Sequence, residues 1–143
     1  MTTILEKSFR SCRRNRRGAA VVEFAVVSPV FFLLVFGMIE YGRMVMVQQL
    51  LTNAAREGAR VGVLDNSTAS DVTTAVSNYL TAARITTSTV TCNPTSPSSA
   101  GYGQPVTVTV SVPFSQVSWL PSPMFLGGTT MTASSAMRRE TVQ

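Results

Sequence analysis

The sequence predicts an α+β fold: one long N-terminal helix, a short second helix and a three-stranded antiparallel sheet. Three observations carry that prediction. Residues 24–39 hold no formal charge, and eleven of these sixteen are Val, Leu, Ile or Phe. From residue 40 the apolar positions recur at three- and four-residue steps, the helical period. Beyond residue 84 the period drops to two, most plainly where Val106, Val108, Val110 and Val112 alternate with Thr and Ser.

The chain has 143 residues, which bounds it to one small domain plus a leader. Its net charge of +5 resembles a nucleic-acid signal until the charges are mapped. Residues 1–18 hold Lys7, Arg10, Arg13, Arg14, Arg16 and Arg17 against Glu6, so this leader accounts for the whole excess. Six basic and six acidic side chains balance in the rest. A basic cluster just before an apolar run fixes membrane orientation, keeping its own side in the cytoplasm. No aromatic or folded platform accompanies it, so nucleic acid is not an expected partner.

The first 17 residues lack an apolar period and are expected to be disordered. The uncharged run at 24–39 is about 24 Å long as a helix, and adding 19–23 brings it near the roughly 30 Å of a hydrocarbon core. Eleven large apolar residues contribute roughly −3 to −7 kcal/mol toward insertion, enough to absorb an acid near one end. Pro29 removes a backbone hydrogen bond inside this run and predicts a kink. Gly37 and Gly42 permit close helix approach but miss the four-residue spacing of the usual small-residue motif.

From residue 40 to 63 the helix turns amphipathic, with Met44, Val47, Leu51, Ala54, Ala55 and Gly58 on one stripe. That stripe either seats the following domain or packs against other helices. Glu40 with Arg43, and Glu57 with Arg60, stand three residues apart and are expected to pair on the helix surface. Residues 65–70 form a polar break, with Ser70 the expected N-cap of a helix marked by Val72, Val76, Tyr79 and Leu80 to about Ala83. Strands are expected at 85–92, around Val106 to Val112, and at 129–139, forming a meander. Trp119, Leu120, Met124 and Phe125 lie in an apolar loop that either caps the sheet or offers a contact patch. The expected division is a leader at 1–18, a membrane and extended helix at 19–64, and a small extracytoplasmic domain at 65–143.

Chemistry-bearing groups are sparse. There is no histidine, and the acids are scattered singly, so no catalytic, metal-binding or cofactor-binding set is expected. Cys92 and the serines have no base to activate them. Cys12 and Cys92 are the only cysteines, and removing the leader leaves Cys92 alone.

No small-x-small site follows the apolar run, so a cut, if one occurs, falls before it. There, GAAVVEF resembles the type IV prepilin processing site, with Gly18 last in the leader, Ala19 first in the mature chain and Glu23 fifth. The apolar run with its proline, then IEYGR and AAREGAR, resemble more specifically the TadE-like family of tight-adherence (Flp-type) pilus assembly proteins. The likeness covers roughly residues 17–64, and the closing TMTASSAMRRE is similar to that family's C-terminal end. It implies a bacterial minor pilin or pseudopilin of the cell envelope, held in the inner membrane and cut after Gly18 by a prepilin peptidase. Its expected partners are membrane lipid, that peptidase, and other pilin-like subunits and assembly proteins. The alternative is a bitopic inner-membrane protein that keeps its leader and binds a ligand or protein through the outer domain.

Overall fold

The computed structural model describes residues 15–119 and 126–139, with the side chains of 15–17 excepted. Five elements follow in order: α1 (Asn15–Gly62), α2 (Ala69–Ala82), β1 (Thr89–Asn93), β2 (Pro105–Pro113) and β3 (Thr130–Arg138). The strands make one antiparallel sheet in the order β1-β2-β3, the expected meander. The expected α+β arrangement of long helix, short helix and three strands is therefore the one observed.

The chain divides into two compact units, one ending at Phe36 and the other beginning at Gly37. In the second unit, Val47, Leu51, Ala54, Ala55 and Ala59 of α1 are fully buried in one core with α2 and the sheet. The amphipathic stripe thus seats the small domain. In the first unit, the described residues form the N-terminal part of α1, which is helical through Pro29.

Across β2 the alternation of the sequence becomes two chemically distinct faces. Val106, Val108, Val110 and Val112 point into the core and are fully buried, alongside Met131 and Ala133 from β3. Each buried Val or Leu side chain contributes about 1.5–3 kcal/mol relative to exposure. The opposite face is a hydroxyl ladder. Thr89, Ser111 and Thr132 stand in register, as do Thr91, Thr109 and Ser134. Thr109 Oγ1 and Ser134 Oγ lie 2.9 Å apart, and Ser111 Oγ and Thr132 Oγ1 3.2 Å apart.

Helix and sheet approach closely where α1 has glycine. A Cβ on Gly58 would stand 2.7 Å from Val76 Cγ2 and 3.1 Å from Val108 Cγ1, inside ordinary contact distance. No larger residue fits there without moving a branched core side chain.

After α1, Asn66 takes a left-handed φ of 59°, and the buried Ser67 hydroxyl donates to the Gly62 carbonyl at 2.8 Å, closing the helix end. The N-cap of α2 is Thr68, two residues before the expected Ser70. Thr68 has an acid three residues on, whereas Ser70 has Thr73. The Asp71 amide donates to Thr68 Oγ1 at 3.2 Å, and the Thr68 amide donates to Asp71 Oδ2 at 2.9 Å, a reciprocal capping box. Hydrogen bonds from the Thr68 backbone and then its hydroxyl hold the Asp71 carboxyl below its ordinary pKa. A carboxyl with a depressed folded-state pKa stabilises above its unfolded value and loses that contribution as pH falls. Thr68→Ala is accordingly expected to cost about 1 kcal/mol at neutral pH. The difference from the parent should shrink on acidification, as thermal unfolding of the two proteins from pH 7 to pH 3 will show.

At its other end α2 finishes in a Schellman turn. Arg84 sits at φ 60°, its amide donates to Thr81 O at 2.9 Å, and the Ile85 amide donates to Leu80 O at 2.9 Å. Ile85 is buried as the hydrophobic partner of that turn. This is why β1 starts at Thr89, four residues after the expected position. The polar loop at 93–104 is also tied down: Arg139 Nη1 donates to the carbonyls of Ser98 at 2.9 Å, Pro97 at 3.3 Å and Ala100 at 3.4 Å, while Nη2 reaches Asp65 at 3.4 Å.

Candidate functional site

The candidate site is the N-terminal half of α1 and the turn where its apolar run gives way to charge. From Gly18 to Gly62 the helix is long and apolar enough to cross a membrane, and none of its apolar stretch is buried. Val21, Phe24, Val26, Val30 and Phe31 are each more than half exposed, the opposite of a soluble core helix. Such a surface is stable where the solvent is hydrocarbon. Phe24, Val27, Ser28, Phe31 and Phe32 line a shallow groove of about 340 Å³ beside Pro29. Phe31 packs edge-on against Phe32 at 5.9 Å between ring centroids, and Phe32 stacks on Phe36 at 6.4 Å.

Gly18, Ala19 and Glu23 are all exposed on this helix. Gly18 lies within α1, and the described residues 15–17 are helical where disorder was expected. Residues 1–14, Cys12 among them, fall outside the described residues. Nothing approaches within 4 Å of a Cβ built on Gly18, so its value is conformational rather than steric. Glycine costs about 1 kcal/mol more than alanine in a helix, which weakens the helix locally. Ala19 and Glu23, four residues apart, lie on the same helical face.

At the far end of the apolar run the expected surface pair of Glu40 and Arg43 does not form. Glu40 is only 3% exposed, and among the described residues its Oε1 has no hydrogen-bond partner. Arg43 turns instead toward the turn that follows β2. Its Nε donates to the Val117 carbonyl at 2.9 Å, and its guanidinium lies 4.9 Å from the ring centroid of Trp119. A buried carbonyl acceptor and an aromatic face together outbid a carboxylate one turn away. Trp119 itself is 66% exposed. Leu120, Met124 and Phe125 fall outside the described residues.

One and a half turns past the buried stripe's midpoint, Arg60 does meet Glu57, with Nη2 donating to Oε1 at 2.6 Å and Nε to Oε2 at 3.0 Å. The Arg60 hydrogen bond holds the Glu57 carboxyl below its ordinary pKa, and the same bond raises that of Arg60. Both side chains are substantially exposed, so the pair adds little to stability. Cys92 is half-buried on β1, and burial pushes its thiol up, away from the reactive thiolate. Among the described residues, no three His, Cys, Asp or Glu side chains come together.

The arrangement therefore offers an apolar helix to lipid or to other helices, an acid near its start, and an ordered domain at its end. No curated protein and no solved structure matches the chain. Residues 18–60, the helix that holds Gly18, Glu23, Pro29 and Glu40, match the model of the TadE-like protein family.

Proposed function

We propose that this chain is a minor pilin-like subunit, a pseudopilin, for the assembly of a tight-adherence pilus. The observation that carries the reading is Glu23, one helical turn after Ala19, at the junction between a basic leader and an unburied apolar helix that matches the TadE-like model. In this reading the basic leader stays in the cytoplasm, α1 crosses the inner membrane of a bacterium, and the domain from about residue 65 lies outside the cytoplasm.

A prepilin peptidase then hydrolyses the bond between Gly18 and Ala19. Residues around Gly18 must leave the helix for a protease to reach that bond, and a glycine there keeps that unwinding cheap. Hydrolysis gives Ala19 a new α-amino group, largely protonated at neutral pH since its ordinary pKa is about 8. An uncompensated carboxylate in hydrocarbon is costly, so Glu23 pairs with such an amine, on its own chain or on a neighbouring subunit. The chain is substrate and building block, and no residue of it performs chemistry.

N-terminal sequencing of the protein from membranes, with and without Gly18→Val, tests this. The parent is expected to begin at Ala19 and the variant to keep residues 1–18. A parent chain that begins at Met1 or Thr2 would contradict the pseudopilin reading, and equal processing of both chains would contradict the cleavage site.

A further inference from the structure

Trp119 is the only tryptophan in the chain, and it is exposed in a stretch, residues 117–126, without a single charged side chain. Such a residue in water has an energetic cost and no evident return. Its level along α1 is fixed by Arg43, which holds the Val117 carbonyl at 2.9 Å and lies 4.9 Å from the indole centroid. Arg43 is four residues beyond Ile39, the last residue of the uncharged run, and therefore about 6 Å further along the helix axis.

A hydrocarbon core of about 30 Å takes about 20 helical residues, which here are 20–39. The headgroup layers add roughly 5–8 Å on each side. Arg43, and the indole stacked on it, fall inside that layer. Tyr41 is also exposed, by 62%, and sits two residues before Arg43, so it points from another side of the helix at nearly the same level. Tryptophan and tyrosine favour this zone because an apolar ring with a polar edge suits the boundary between chains and water, and arginine reaches phosphate from there.

We propose that Trp119, Tyr41 and Arg43 form an interfacial anchor, resting the turn at residues 117–119 on the headgroup layer of the bilayer that α1 crosses. The occupant of the exposed indole is lipid, since Arg43 holds the ring only about one helical turn past the end of the uncharged run, where headgroups lie. The proposal rests on α1 being a membrane span but not on any pilus role.

The single tryptophan makes the test direct. The full chain is placed in phosphatidylcholine and phosphatidylglycerol vesicles whose acyl chains carry a quencher either near the headgroup or near the bilayer centre. Trp119 emission is expected to shift to the blue relative to an indole in water, and to be quenched more by the shallow lipid than by the deep one. A second protein, Trp119→Phe with Phe31→Trp, moves the reporter to the middle of the span and should show the reverse order. If Phe31→Trp is quenched by deep lipid while Trp119 is quenched by neither, the anchor is wrong and the span stands. A Trp119 shift that follows protein density without lipid quenching assigns the face to a second copy and also overturns the anchor. Failure of Phe31→Trp to be quenched would remove the span and the anchor together.

Discussion

Gly58→Val is expected to destabilise the sheet-bearing unit by about 3 kcal/mol or more, a large part of the 5–15 kcal/mol typical of a small domain. Two effects oppose one another. Replacing a helical glycine removes a propensity cost of up to about 1 kcal/mol. Against that, the first added carbon meets Val76 Cγ2 at 2.7 Å and Val108 Cγ1 at 3.1 Å, and the two γ-methyls of valine would crowd α2 and the sheet further. Neither neighbour can swing aside, since both are branched at Cβ and fully buried. Gly58→Ala should show a smaller loss of about 1 kcal/mol, because propensity offsets part of the clash. Thermal unfolding of the full chain in detergent reads both, at roughly 4–8 °C per kcal/mol for a unit of this size. A valine variant that melts within a degree or two of the parent would show that α1 and the sheet are not locked at this point.

Glu40→Leu is expected to act in the opposite direction and raise the melting temperature of the same unit. The Glu40 side chain is buried, and among the described residues its Oε1 has no partner, an arrangement that costs about 1–3 kcal/mol for each unsatisfied polar group. Leucine is close in volume and removes that cost without opening a cavity. A gain of about 1–3 kcal/mol should appear in the same unfolding experiment. A lower melting temperature would mean that the carboxylate is satisfied after all, and that its partner contributes to folding. A more stable variant that no longer supports assembly would assign the buried acid to function, as acids held at membrane depth usually are.

The elements with strong periods were legible in the sequence. The valines of β2 alternate over four successive pairs and settled both the strand and its buried face. The stripe from Met44 to Gly58 was likewise legible, though its covering by the domain rather than by other helices, and the part of Ala59 in that core, came from the fold. What escaped was decided in one case by groups far apart in the chain and in two by local turn geometry. Glu40 and Arg43 have the spacing of a surface pair, and only folding brings Val117, 74 positions away from Arg43, within hydrogen-bond reach. Ile85 looks like the start of a strand because β-branched residues favour strands, yet the left-handed turn at Arg84 uses it to close α2. Thr68 and Ser70 are both fair caps, and Asp71 chooses between them by completing a reciprocal pair with Thr68 alone. In the candidate site, the exposure of α1 and the level of Trp119 needed the fold, whereas the boundary at Gly18 was visible as a change from basic to apolar residues.

The outward face of the sheet has a consequence for where this domain can work. From Thr89 across Ser111 to Thr132, and from Thr91 across Thr109 to Ser134, it presents alcohols, with Arg138 beyond them at the Pro105 end of the same face. Alcohols keep their hydration without counter-ions and do not titrate in the biological range. Brine, fresh water or mild acid would therefore meet the same wetted wall, and a protein exposed to changing surroundings would gain constancy there without any added bond.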